Sequence, residues 1–186
     1  PYYYDKKDVH LDKIVFKVEN DAAAAAAALK AGDLQALDTI DNTQLQGIEH
    51  TPTLRVIKQT SLGYQGLTLN IGNKNGLLKG YSNVGTPIAS SAKLREAFEM
   101  AIDRKAMNRV VFGGTVLPGC TPLSPVSPFF DRGLKCTAFN PTQAKKLIAS
   151  SGVSSPTVHL MVPTGTVALR LAQFLQSEEN AVGINV

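Results

Sequence analysis

Hydrophobic residues in this chain fall into two alternating rhythms, short apolar runs and helical stripes. Residues 14–18 read apolar, apolar, apolar, polar, apolar and are rich in β-branched side chains, which predicts a buried strand. Asp21 then stands as an N-cap before seven consecutive alanines, and Gly32 follows as a stop, so a short helix is expected between them. Residues 34–40 predict a second strand. Strand, helix and strand in this order are the unit of an α/β lobe. A helical turn over residues 43–48 follows, then alternating stretches over 53–59 and 63–71 that read as strands, with Leu67, Leu69 and Ile71 on one face. Residues 72–87, rich in glycine and asparagine, read as a long loop.

The second half is more strongly periodic. Leu94, Ala97, Phe98, Ala101 and Ile102 recur at the spacing of one helix face over residues 91–103. Met107, Val110 and Val111 repeat the logic over 104–112, closed by Gly113 and Gly114. A proline-rich stretch over 117–130 excludes a helix. Asn140 and Pro141 place a cap and a first-turn proline, Gln143 completes the capping pattern, and Gly152 closes that helix. Val158, Leu160 and Val162 alternate as a strand. Val167, Ala168, Leu171, Phe174 and Leu175 line a last helix ending near Gly183. Residues 183–186 then read as a strand just beginning, so the chain is expected to be a piece of something longer.

Composition narrows the class. With 44% hydrophobic and 18% charged residues, the composition fits a folded soluble protein and argues against disorder. No apolar run approaches the ~20 residues needed to span a bilayer. The net charge of +4 raises the question of an acidic partner, but the 19 basic residues are scattered and form no stripe, which argues against nucleic acid. The chain starts at Pro1, so any targeting peptide is expected outside it.

Candidate chemistry is sparse. Arg95, Asp103 and Arg104 could form a catalytic charge cluster, but no nucleophile or histidine is near in sequence, and pairing and capping between two helices is the expected role. Asp33 and Asp38 lie in turn and strand and make a poor acid/base dyad. No phosphate loop, HExxH or nucleophile elbow occurs. His10, His50 and His159 show no ligand spacing to either cysteine, so no metal site is expected. Cys120 and Cys136 flank a proline-rich segment: in an exported protein they would close a disulfide worth about 3 kcal/mol by the chain-entropy model, and in a cytosolic one they would be two free thiols.

Five ordered blocks carry a family resemblance. They are residues 16–21 with 29–33; Gly63-Tyr64 through Leu69-Asn70; Arg95-Glu96-Ala97 through Ala101-Ile102-Asp103-Arg104; Asn140-Pro141 through Ala144-Lys145-Lys146-Leu147 to Gly152; and Val182-Gly183-Ile184-Asn185-Val186. Together they resemble the bacterial extracellular solute-binding proteins of family 5, which serve oligopeptide, dipeptide and nickel ABC importers. The resemblance implies an α/β fold of the periplasmic-binding-protein type (class II, peptide-binding), with a partial chain covering parts of two lobes. Residues 1–66 would belong to the first lobe, 67–80 to a crossing strand and loop, and 81–186 to the second.

It further implies a transport carrier and not an enzyme, without cofactor or metal, extracytoplasmic, lipid-anchored and monomeric. The carrier would close over a peptide or other small-molecule ligand and deliver it to ABC permease subunits. A ligand-sensing receptor module on the same fold is the alternative. Outside the cytoplasm, Cys120 and Cys136 would be paired. Tyr64, Gln65 and Asn70 of the crossing segment are the expected cleft residues, Asn70 matching a strand-end asparagine of the family. Gly66 departs from the family, many of whose members carry an aromatic there. Thr164, with Pro163 and Gly165 at the end of a strand, is a second candidate rim.

Overall fold

The computed structural model describes residues 3–76 and 79–186. Leu77 and Leu78, inside the loop expected over residues 72–87, lie outside the described residues, as do Pro1 and Tyr2. The chain divides into two compact units, Pro1–Arg55 and Val56–Val186.

In the first unit, a single 3-10 turn (Lys6–Asp8) precedes helices α1 (Ala22–Ala31) and α2 (Asn42–Glu49). Asp21 caps α1 by accepting the Ala24 N–H at 2.7 Å, and Gly32 ends it in the left-handed region at φ 86°. Asp41 caps α2 in the same way through the N–H of Thr43, at 2.8 Å. The two helices pack on each other through small or aliphatic side chains, with Ala26, Leu45 and Ile48 buried. The alanines allow that approach: a Cβ added at Gly47 would come within 3.0 Å of the Lys30 ammonium, so Lys30 lies directly over α2.

The second unit is built around helices α4 (Ala92–Ala101) and α6 (Pro141–Ser150). They run antiparallel. Lys93 at the start of α4 donates to the Ser150 carbonyl at the end of α6, at 3.0 Å, and the Asn140 N–H donates to the Met100 carbonyl at 2.8 Å. A short helix α3 (Pro87–Ser90) precedes α4; α5 (Arg104–Phe112) follows it after a two-residue break, and α7 (Thr166–Val182) packs against α4, α5 and α6. Leu94, Ala97, Phe98, Ala101, Ala144, Ile148 and Leu175 make the common core. Burying each large member contributes on the order of 2 kcal/mol.

The charges at the helix junctions are structural. Arg95 donates to the carbonyls of Ile88 and Ala89, at 2.9 and 2.8 Å, and so closes the end of α3. Asp103 caps α5 through the N–H groups of Lys105 and Ala106, and Arg104 pairs with Glu99 at 3.2 Å. These bonds account for all three residues without invoking chemistry.

The expected strands are where sequence and structure part. Residues 14–18, 34–40, 53–59 and 63–71 form no ladder among the described residues, and bends at Gln35 and Asp38 interrupt the second of these. Ile14, Val15, Phe16 and Val18 are largely exposed, Phe16 at 90%. A strand is stabilised by its neighbours' hydrogen bonds and side chains, not by its own residues, so a β-rich run without a partner has nothing to hold it. Among the described residues pairing survives at two isolated parallel bridges, Asn73 with Ser82 and Thr157 with Asn185. In the second, Val158 N–H donates to Asn185 and Asn185 N–H to Pro156, each at 2.8 Å, on either side of α7. This is the expected strand–helix–strand unit at the end of the chain, reduced to one rung.

Candidate ligand-binding site

Residues 56–70 run without regular secondary structure from the start of the second unit toward a compact turn. The turn is well specified. Asn70 Oδ1 accepts the Asn73 N–H at 3.0 Å, Ser82 N–H donates to Gly72 at 2.9 Å, and Lys74 N–H donates to Ser82 at 3.2 Å. The Tyr81 ring lies so close over Gly72 that a Cβ there would fall inside its van der Waals shell. Glycine at 72 is therefore a matter of close approach.

Tyr64 is exposed at 64%, and a Cβ built at Gly66 would come within 3.1 Å of its ring. The ring thus folds back over the next glycine and presents its outer face and hydroxyl. Gln65 is exposed beside it. Asn70 is exposed as well, but its carbonyl oxygen is committed to the turn, which leaves its NH2 group as the free donor end. Thr164 sits in a separate exposed loop, immediately before Gly165, which starts α7 at φ 139°. The structure therefore carries Tyr64, Gln65 and Asn70 on one continuous segment and Thr164 on another. No hydrogen bond joins Thr164 to the other three among the described residues.

A surface concavity of about 500 Å3 lies elsewhere, between the ends of α6 and α7, lined by Lys145, Ile148, Gly152, Val182 and Gly183 among others. It contains none of the four expected residues. No group of three or more histidine, cysteine, aspartate or glutamate side chains could hold a metal ion among the described residues.

The disulfide expected between Cys120 and Cys136 is formed, with Cα atoms 5.4 Å apart. Two residues of consequence escaped the sequence reading. Inside the loop the cysteines close, Ser124 is buried at 6% exposure and its hydroxyl donates to the Ser61 carbonyl at 2.8 Å, three residues before Tyr64. Nothing local marks this serine among the neighbouring Ser-Pro pairs. The second is Glu179, fully buried in the core with neither carboxylate oxygen hydrogen-bonded. Burial first, and the Glu178 carboxylate second, push its carboxyl up to about 9. Here a signal existed: the spacing from Leu171 and Leu175 to Val182 continues the apolar stripe straight through position 179.

The model of the bacterial extracellular solute-binding proteins, family 5 (middle), matches residues 1–186. Di/tripeptide-binding protein 3 of Pseudomonas aeruginosa is 23% identical over 98% of this chain, which covers 33% of that protein. The chain thus spans about a third of the length of the curated relatives it matches. Among solved structures, the ABC transporter substrate-binding protein CtaP of Listeria monocytogenes superposes with a TM-score of 0.68 at 20% identity, over 91% of this chain and 33% of the other. NikZ of Campylobacter jejuni, solved with Ni(L-His), gives a TM-score of 0.68 at 20% identity, over 91% and 34%. The fold is therefore the periplasmic-binding-protein-like α/β fold, present here in part.

Proposed function

The chain belongs to the bacterial extracellular solute-binding proteins of family 5, and from that premise we propose that it is part of the substrate-binding component of an ABC importer. The whole protein captures a peptide or similar small solute outside the cytoplasmic membrane and hands it to permease subunits, acting as a lipid-anchored monomer and not as an enzyme. On this reading residues 1–66 contribute to one lobe, 67–80 cross between lobes, and 81–186 contribute to the other, with residues 56–66, which belong to the same compact unit as 81–186, forming the approach to the crossing. Closure of the lobes by a hinge encloses the ligand.

The observation that carries this reading is the collinear family match over the entire chain. The side chains fit it: Tyr64 offers an exposed ring and hydroxyl, Gln65 and the NH2 of Asn70 offer donors, and Thr164 offers a hydroxyl at a loop beside a helix start. Uncharged donors and an aromatic face suit the main chain of a peptide, which carries amides at every residue and leaves side-chain identity open. The names of the relatives, di/tripeptide-binding and oligopeptide-binding, favour peptides over other solutes.

The test is a thermal-shift titration of the intact protein against di- and tripeptides, sugars and nickel–histidine complexes. A ligand at about a hundred times its Kd stabilises the folded state by about 2.7 kcal/mol. A peptide series that raises Tm supports the proposal. No shift with any class, or turnover of the peptide, would refute it.

A further inference from the structure

The loop closed by Cys120–Cys136 does more than cap a proline-rich stretch. Its backbone is constrained three times over. The disulfide ties residues 16 apart in sequence. Pro122, Pro125 and Pro128 restrict the backbone between the cysteines. Successive turns then bond Ser127 N–H to Ser124 at 2.8 Å and Phe130 N–H to Ser127 at 3.2 Å. Most of the loop's side chains face solvent, including Leu123, Val126 and Phe129. Ser124 is the exception, and its hydroxyl reaches 63 residues back along the chain to the carbonyl of Ser61.

Ser61 belongs to the segment that has no helix or ladder of its own to hold it. We propose that the disulfide-closed loop is a positioning clamp for this segment: Ser124 fixes the backbone at Ser61 and thereby sets where Tyr64 and Gln65 stand for ligand. The proposal rests on the carrier reading above and adds a residue that touches no ligand but orders those that do. Its physical basis is entropy. A segment free to sample many backbone states must be ordered on binding, and ordering opposes affinity at every residue that has to be fixed. A rigid loop that holds one carbonyl in place before ligand arrives removes part of that opposition.

The experiment uses the intact protein with Ser124→Ala and, separately, the double variant Cys120→Ser/Cys136→Ser, which leaves Ser124 in place. Backbone 15N order parameters are read over residues 61–66 and, as the internal control, over α4 and α6. Affinity is measured for trialanine. The expected result is lower order at 61–66 in both variants, unchanged order in α4 and α6, and about five- to tenfold weaker trialanine binding, the size of one lost hydrogen bond. Order at 61–66 unchanged in both variants overturns the proposal. So does lower order with unaltered affinity, which would make the contact a packing feature only. Should Ser124→Ala disturb α4 and α6, the cysteine pair decides by the same two readings. Wild-type protein that binds no trialanine overturns the peptide reading on which the proposal rests, and that failure is seen in the wild-type titration alone, before any variant is compared.

Discussion

Glu178 accepts the backbone N–H of Asp103 at 3.0 Å, a bond across 75 residues that fixes α7 to the break between α4 and α5. Its neighbour Glu179, one position further round the helix, has no such partner and is fully buried between Leu175 and Val182. Two adjacent carboxyls thus have opposite environments. One is an acceptor at a helix junction, and the other is enclosed by apolar side chains. The cations on the packed helices are engaged elsewhere or at the surface: Lys93 on the Ser150 carbonyl, Arg95 on the end of α3, Arg104 on Glu99, with Lys105, Arg109, Lys145 and Lys146 exposed. Glu179 therefore stays protonated in the folded chain at neutral pH, its carboxyl raised to about 9.

The pH dependence follows directly. Unfolded, the Glu179 carboxyl titrates near its ordinary value of 4.5; folded, it holds its proton to about 9. Between those values the folded state binds a proton that the unfolded state has released, so this group's contribution is full below 4.5 and is lost as pH rises. Urea denaturation of the intact protein should show stability falling by up to about 1.4 kcal/mol per pH unit between pH 5 and 9 from this group. Glu179→Gln should flatten that slope, and Glu179→Leu should raise stability most at pH 8. Equal slopes in wild type and Glu179→Gln would show that Glu179 is not the titrating group.

Gly183 ends α7 in a Schellman arrangement. Its own N–H donates to the Asn180 backbone carbonyl at 3.1 Å, and the N–H of the buried Ile184 donates to the Glu179 backbone carbonyl at 3.0 Å, with Gly183 at φ 98°. A side chain here is strained by its backbone alone, although there is open space around it. Gly183→Ala should cost about 1 kcal/mol, read as a drop in Tm, and should loosen the Thr157–Asn185 rung that follows. The same change at Gly47, with ordinary helical backbone and only the flexible Lys30 end to displace, should be neutral or slightly stabilising.

How much of this was legible in advance depended on the range of the interactions. Helices α4 to α7 could be read because their information is local: Asp103, Asn140, Gly113 and Gly183 mark ends, and the apolar stripe marks faces. Helix α3 is not legible in the sequence, since Thr86 and Pro87, its cap and first residue, close a glycine-rich run that reads as loop. The strands were read from β-branched side chains, which report a tendency to pair and not the presence of a partner. The apolar stripe that predicts α7 is plain up to Leu175, one turn before the buried carboxyl of Glu179, a residue type that does not itself signal burial. The expected cleft residues Tyr64, Gln65 and Asn70 share one segment because they are neighbours in sequence, and Thr164 stands on another; the contact of Ser124 with Ser61 is not legible, because its partners lie 63 residues apart.

The contact of Gly72 with Tyr81 makes the last prediction. The Tyr81 ring occupies the space a Cβ at 72 would need, and the adjoining backbone carries the rung between Asn73 and Ser82. Because Tyr81 is 74% exposed, its ring can turn aside, so Gly72→Ala should cost under about 1 kcal/mol and should not unfold the second unit. The cost should depend on the ring: with Tyr81→Ala already in place, Gly72→Ala should be close to neutral. A double-mutant cycle read by Tm and by exchange at the Ser82 amide, which donates to Gly72, separates the two cases. Additive effects would place the requirement for glycine in the backbone at 72. A coupling of the size of the single-variant cost would place it in the ring, and would mark Tyr81 as the side chain that holds the turn following Asn70.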